Sequence, residues 1–303
     1  MTGRTVGGSQ VTFKKDARLD SSQVEDYRGR RVGTRGLAVG GGGAVGLIVL
    51  VLVMLMGGGG DLGTLVDQAV GQGGTAPEPA STTLLQECKT GADANARDDC
   101  RIVGYVDSIQ AWWTEAFADG GETYRPSKTR FFSGLIDTGC GTASSQVGPF
   151  YCPADTYVYI DLGFFDELKA KFGATGGPMA QAYILAHEYG HHVQDLLGLL
   201  EGASGAAGAT GQAVRTELQA DCLAGVWANH AVETGYLEPI TKAQVADALN
   251  AAQAVGDDRI QAEFQGRVTP ESWTHGSSAQ RERWFTTGME TGDLNACDTS
   301  KGL

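Results

Sequence analysis

The sequence predicts an α+β domain, with a small sheet beside a mostly helical remainder, after one N-terminal transmembrane helix. Three features support this fold class. Segments with a 3.6-residue apolar period, such as residues 100–119, predict helices. Two short runs rich in β-branched and aromatic residues, 128–135 and 156–162, predict strands. A run of uncharged residues, 37–56, is long enough to cross a bilayer as a helix.

The first 36 residues carry eight Lys/Arg against four Asp/Glu and show little apolar periodicity, which predicts a basic, disordered cytoplasmic tail. No Lys or Arg follows the apolar run until Lys89, so the positive-inside bias places the N-terminus in the cytoplasm. We expect a single-pass cell-membrane protein with an extracytoplasmic domain. A cleaved signal peptide is the alternative, but the charged prelude is long and no A-x-A-like site follows the run.

Residues 57–83 are rich in Gly, Pro, Ser and Thr, which predicts a flexible linker. The domain is then expected over residues 84–303, a length sufficient for one good core. The chain has 23 Lys/Arg against 36 Asp/Glu, a net charge of −13, and the acidic excess lies after the apolar run. We therefore expect no binding to nucleic acid. The sequence leaves the oligomeric state open.

Within the domain, the predicted elements follow in order. An apolar stripe at helical spacing supports the helix at 100–119, and an irregular connection joins the two strands. A short helix then ends at Gly173, a residue typical of helix C-termini. The remaining predicted helices span residues 178–200, 212–234, 241–256 and 278–291. The four tryptophans on these helices are expected in the core: Trp112, Trp113, Trp227 and Trp284.

All six cysteines follow the apolar run, and an even count there fits an oxidising compartment. Pairs close in sequence are favoured, and they leave the two most distant cysteines for each other. The expected disulfides are Cys88–Cys100, Cys140–Cys152 and Cys222–Cys297. A cysteine zinc site is the competing interpretation, which the lack of any C-x2-C spacing disfavours.

Residues 187–191 read His-Glu-Tyr-Gly-His inside the helix predicted at 178–200. Positions i and i+4 of a helix share one face, so His187 and His191 can converge on one metal ion. Two imidazoles and one carboxylate leave a coordination position open, the arrangement of a catalytic zinc site. Glu188 is then expected beside the open position, where it takes a proton from water. A solvated helix face is the alternative, against which the apolar neighbours argue.

The second half of the site is predicted on the helix at 212–234, where Glu217 and Asp221 lie four residues apart. We predict Glu217 as the third zinc ligand. Asp221 is predicted to accept the other ring N–H of a ligand histidine, which orients the ring. The reverse assignment of the two carboxylates and a pair of solvated surface carboxylates are the alternatives.

Six motifs in order then show a family resemblance. They read SSQVEDYRGRR, the glycine-rich apolar run, VGPFYCPADTYVYIDL, LAHEYGHHVQDLLG, ELQADCLAGVWANH and THGSSAQRERWFTTG. The chain resembles, over nearly its whole length, the neutral zinc metallopeptidase family that is often called YpfJ-like. The resemblance implies a zincin-like fold, similar to thermolysin-like and CAAX-processing zinc endopeptidases, with Zn²⁺ as cofactor and a polypeptide as substrate. It also implies an edge strand that holds the substrate backbone, and residues 156–162 are the candidate.

The resemblance extends to the segment around His275, because CAAX-processing enzymes carry a similar T-H-P-x-x-x-x-R segment near the zinc. Here Gly276 replaces the proline. His275 is the candidate donor to the oxygen that becomes negative as water attacks the carbonyl, with Tyr189 as its rival and a helix cap as its structural alternative. Arg281 is expected in a structural ion pair. His192 is expected to pack, and His230 receives no role.

These observations predict a membrane-anchored zinc peptidase in which Glu188 is the general base. Two alternatives remain. One is a catalytically silent, membrane-tethered zinc protein that serves as a binding or scaffold module. The other is a zinc amidase that acts on a non-peptide or cell-wall amide, which zinc chemistry alone does not separate from a peptidase.

Overall fold

The computed structural model describes residues 13–29, 84, 86–200 and 205–303, and these form a small sheet with mostly helices around it. The α+β part of the predicted fold class is therefore observed. The helices are α1 Gly91–Ala96, α2 Asp98–Asp119, α3 Phe164–Phe172, α4 Pro178–Leu196, α5 Gln212–His230, α6 Lys242–Ala254, α7 Asp257–Gln265 and α8 Ser278–Thr291. The strands are β1 Val24–Asp26, β2 Lys128–Phe131, β3 Leu135–Thr138, β4 Gly141–Ser144, β5 Phe150–Cys152 and β6 Tyr157–Ile160.

The main sheet has four strands in the order β1–β2–β6–β5. Strands β1, β2 and β6 run parallel, and β5 pairs antiparallel with β6. The expected substrate-holding edge strand, residues 156–162, is therefore wrong, because β6 is hydrogen-bonded on both sides and has no free edge. Strands β3 and β4 form a separate antiparallel pair.

The segment before the apolar run is part of this fold. Strand β1 pairs with β2, more than a hundred residues later in the chain. The Phe13 ring is fully buried, and Gly104 of α2 makes room for it, since a Cβ at Gly104 would overlap the ring. Asn95 exchanges two hydrogen bonds with the Phe13 backbone, at 2.8 and 2.9 Å. The prediction of a disordered tail is therefore wrong for residues 13–29.

This packing also corrects the predicted transmembrane helix and single-pass location. Residues 13–29 and the domain that follows form one packed unit, whereas a single crossing between them would place them on opposite sides of a bilayer. Among the described residues, none of the helices combines the length and hydrophobicity needed to cross a membrane. The predicted span at 37–56 and the predicted linker at 57–83 themselves lie outside the described residues.

Helix α4 occupies the centre of the molecule and is buried along most of its length. Pro178 stands in its first turn, where a missing N–H costs nothing. The Asp247 carboxylate of α6 accepts the free N–H groups of Met179 and Ala180 at 3.0 and 3.1 Å, which caps the helix. Helices α2, α5 and α6 pack around it. All four tryptophans of the predicted core are buried, as expected.

The three predicted disulfides are confirmed: Cys88–Cys100, Cys140–Cys152 and Cys222–Cys297. The third joins α5 to the C-terminal segment across 75 residues of sequence. It closes a long loop that begins on the helix carrying Glu217 and Asp221, and it stabilises the fold chiefly by restricting the unfolded chain.

Helices α5 and α8 touch backbone to backbone. Gly225 of α5 faces the carbonyl of Phe285, and Gly288 of α8 faces the carbonyl of Cys222, at distances that no Cβ would allow. The two glycines therefore set the separation of these helices, and with it the position of every side chain that α8 directs at α5.

Replacing Gly288 by Ala should lower the free energy of unfolding by about 1–3 kcal/mol or more, because the new methyl group forces α5 and α8 apart. Urea unfolding followed by circular dichroism measures this change. Gly120→Ala is the matched control, since Gly120 has helical φ and ψ and its nearest neighbour to an added Cβ is 3.4 Å away. Equal stability of the two variants would show that the close helix contact is not required.

Candidate metal centre

The structure brings His187, His191 and Glu217 together at the contact between α4 and α5. One carboxylate oxygen of Glu217 lies 3.2 Å from Nε2 of His187, and the other lies 3.5 Å from Nε2 of His191. One ligand atom from each residue falls within 4.8 Å of the others. Two ring nitrogens and a carboxylate oxygen at this spacing fit a single Zn²⁺ ion with an open coordination position.

A glycine inside the His-Glu-Tyr-Gly-His sequence permits this meeting. A Cβ at Gly190 would lie 3.0 Å from the carbonyl oxygen of Ala220, so α4 and α5 approach almost to backbone contact here. The close approach places Glu217, one turn before Ala220, opposite the two histidines. The small residue in the motif therefore suits this contact, because a side chain at Gly190 would press against the backbone of α5.

The carboxylate of Asp221 is completely buried behind His187 and accepts four hydrogen bonds. The His187 Nδ1 lies 2.8 Å away, and the Tyr183 hydroxyl donates at 2.5 Å. Arg281 of α8 adds two bonds from one edge of its guanidinium, at 2.8 and 2.9 Å. The predicted ion pair of Arg281 thus exists, and its partner is the carboxylate that orients a candidate ligand.

Charges in this cluster shift the pKa values in opposite directions. Burial disfavours the ionised form of Asp221, but the charges of Arg281 and His187 outweigh burial and lower its pKa to about 2. Burial also disfavours a charged His187, but Asp221 and Glu217 outweigh it and raise the pKa of His187 to about 10. A metal ion binds the neutral imidazole, so a metal at this centre would have to compete with a proton on His187.

Glu188 lies beside the three candidate ligands and lines a cavity of about 140 Å³. Burial raises the pKa of Glu188, against the opposing influence of His187 and His191. A carboxylate with a raised pKa is a stronger base than one in water, which suits a group that accepts a proton. Most of the cavity wall is apolar and comes from Val147, Phe164, Phe172, Ile184, Val255 and Ile260.

His275 lines the same cavity as His187, Glu188 and Glu217. Its Nδ1 lies 3.2 Å from the carboxylate of Asp257. Although burial favours the neutral ring, Asp257 and Glu217 raise the pKa of His275, which favours an imidazolium that can donate a hydrogen bond.

The residues that follow His275 exclude the structural alternative for it, a helix cap. Ser277 caps α8 through a bond to the Gln280 N–H, so His275 is not the helix cap. Gly276 has a φ of +92°, which proline cannot adopt, so the replacement of proline in this motif changes the local backbone.

The remaining predicted residues lie away from the cavity. The Tyr189 hydroxyl is 3.0 Å from Oγ1 of Thr129 in β2, so Tyr189 faces the sheet rather than the candidate ligands. His192 packs as expected, between the Tyr151 hydroxyl and the carbonyl of Arg125. His230 contacts Glu233 and the Gly292 carbonyl at the far end of α5.

Sequence reasoning missed three groups of the site. Tyr183 stands four residues before His187 and therefore on its face of the helix, a spacing that was available in the sequence. Gln194 stands three residues after His191 and contacts it in the same way. Asp257 begins a helix that the sequence analysis did not predict, and no local pattern pointed to its contact with His275.

Comparison with known proteins agrees with this geometry. Residues 13–300 match the family described as "Putative neutral zinc metallopeptidase". The chain is 40% identical over 297 residues to "Uncharacterized protein YpfJ" of Escherichia coli (strain K12), covering 93% of this chain and 96% of that protein. It is 55% identical over 223 residues to "Uncharacterized protein Rv2575" of Mycobacterium tuberculosis, covering 71% and 75%. No solved structure matches the chain significantly.

Proposed function

The chain belongs to the neutral zinc metallopeptidase family, and from that premise we propose that it hydrolyses peptide bonds with the help of a zinc ion. His187, His191 and Glu217 would hold the ion, and Asp221 would orient His187. Bound by these residues, zinc would supply a Lewis acid that could polarise the scissile carbonyl and activate water. The observation that carries the proposal is Glu188, which faces the same cavity as the candidate ligands His187 and Glu217.

Two residues of the protein have separate roles in the reaction: one transfers the proton and the other stabilises the developing charge. Glu188 accepts a proton from the attacking water and passes it to the amine that leaves. His275, held by Asp257, donates a hydrogen bond to the carbonyl oxygen as negative charge grows there. A binding or scaffold protein would need the metal ligands but not a buried carboxylate beside them, so Glu188 favours the enzyme.

The lining of the cavity suggests the class of peptide. A volume of about 140 Å³ with apolar walls suits one Leu-sized or Phe-sized side chain next to the scissile bond. Burial of such a side chain is worth about 1.5–3 kcal/mol. Peptides with Leu or Phe at this position should therefore exceed those with Asp or Lys by about 10- to 100-fold in kcat/KM.

Hydrolysis of a quenched peptide library by the full-length protein tests the proposal, with metal analysis on the same sample. We expect turnover that a zinc chelator abolishes and added zinc restores. Stoichiometric zinc with no peptide turnover would favour the binding protein. Turnover of cell-wall amides but not of peptides would favour the amidase. A protein that binds no zinc would overturn the metal centre itself.

A further inference from the structure

Gln194 is a buried residue one turn beyond His191 on α4, and its amide makes three hydrogen bonds. Its Oε1 lies 2.8 Å from Nδ1 of His191. Its Nε2 lies 2.8 Å from the carbonyl oxygen of Thr216 and 2.9 Å from Oε1 of Gln219. The side chain is completely buried, so water does not compete for these bonds.

The partners of this amide determine which way it points. The Thr216 carbonyl only accepts, so the nitrogen of Gln194 must face it. Gln219 uses its own nitrogen to donate to the Cys297 carbonyl at 3.2 Å, which leaves its oxygen for Gln194. A reversed Gln194 amide would place its oxygen against two acceptors. The oxygen of Gln194 therefore faces His191.

This orientation determines the tautomer of His191. Because the oxygen of Gln194 accepts, Nδ1 of His191 carries a hydrogen, and the neutral ring, which is the form that binds a metal, therefore has its lone pair on Nε2. That Nε2 is the atom directed at Glu217 and at the predicted metal position. The same amide also binds the carbonyl that immediately precedes Glu217, so Gln194 links the second and third candidate ligands.

We propose that Gln194 is the positioning residue of this metal centre for His191, in the role that Asp221 has for His187. The proposal rests on the proposed zinc site. The two ligand histidines are then oriented by unlike groups: His187 by a carboxylate paired with Arg281, and His191 by a neutral amide. Loss of an orienting group typically lowers metal affinity about 10- to 100-fold.

Two substitutions separate orientation from simple packing. Gln194→Met keeps the approximate volume and removes the acceptor, so zinc affinity should fall about 10- to 100-fold. Gln194→Glu keeps an acceptor for His191 but loses both donated bonds. It should therefore lower the stability of the metal-free protein while zinc affinity stays near that of the wild type.

The measurements are zinc affinity by competition with a chelator and the tautomer of His191 by ¹⁵N NMR of the five histidines. In the metal-free protein the wild type should show hydrogen on Nδ1 of His191, and Gln194→Met should lose that preference. Gln219→Met is the matched control, because it removes a partner of Gln194 without touching His191, and its zinc affinity should be unchanged.

Several results would overturn the role of Gln194. One is an unchanged tautomer and zinc affinity in Gln194→Met. Another is a loss of affinity of about 10- to 100-fold in Gln194→Glu, which would show that the acceptor for His191 is not what sets zinc affinity and can be measured even if Gln194→Met fails to fold. A wild type that binds no zinc would overturn the proposed function, whereas the metal-free NMR comparison would still test the control of His191.

Discussion

Replacing Glu188 by Gln should leave zinc bound and lower kcat by about 10²- to 10⁴-fold, the usual contribution of a general base. Glutamine has nearly the shape of glutamate but cannot accept a proton, so the cavity keeps its form and loses its base. Glu188 is not among the candidate ligand atoms, whereas His187, His191 and Glu217 are. This variant is therefore expected to keep its metal content while its turnover falls.

The measurement is steady-state hydrolysis of the best peptide from the library, with zinc determined in the same preparation. Glu233→Gln is a suitable control, since it removes one negative charge from an exposed residue that pairs with His230. A Glu188→Gln variant with zinc bound and near-normal turnover would show that another group takes the proton.

The same carboxylate should set the acid limb of the pH profile. Burial raises the pKa of Glu188 above its ordinary value. Only the ionised form accepts a proton, so kcat/KM should fall as the pH drops through this raised pKa. A kcat/KM that does not fall on the acid side of the profile would contradict Glu188 as the base.

The candidate ligands could be predicted because the spacing that identifies them lies within short segments of the sequence. A four-residue spacing on one helix is visible in the sequence, and so is the second pair on the next predicted helix. The three disulfides followed from proximity in sequence and elimination. Arg281 was harder to assign, because its importance depends on which residue of another helix it faces, and the same is true of the bonds from Gln194 to α5.

The pairing of the strands and the packing of the N-terminal segment were not predicted, and both for a related reason. Strand β1 pairs with a strand more than a hundred residues away, and no short window of sequence reveals such a partner. The charge and low hydropathy of residues 1–36 predicted disorder, yet Phe13 and Val24 are both buried. A few buried residues decide whether such a segment packs against the domain, and these residues cannot be recognised from the average composition of the segment.

A protein that begins at residue 84 should therefore fail to fold as the full-length chain does. It would lack the β1 strand and leave the Phe13 pocket beside Gly104 empty. It would also leave the buried Asp107 carboxylate without the Asp20 N–H and the Gln23 amide, which donate to it at 2.8 and 2.6 Å. Loss of the Phe13 ring alone costs about 3–5 kcal/mol. The total free energy of unfolding of a domain is only about 5–15 kcal/mol.

Thermal and urea unfolding of full-length protein, of the 84–303 fragment and of full-length Phe13→Ala test this expectation. A synthetic peptide of residues 13–29 added to the fragment provides the control, because it should restore structure in proportion to its concentration if docking is what the fragment lacks. A fragment as stable as the full-length protein would show that β1 does not contribute to the stability of the fold. Recovery with the peptide would instead show that the two segments must meet in one compartment to fold, which is the physical reason a single membrane crossing between them fails.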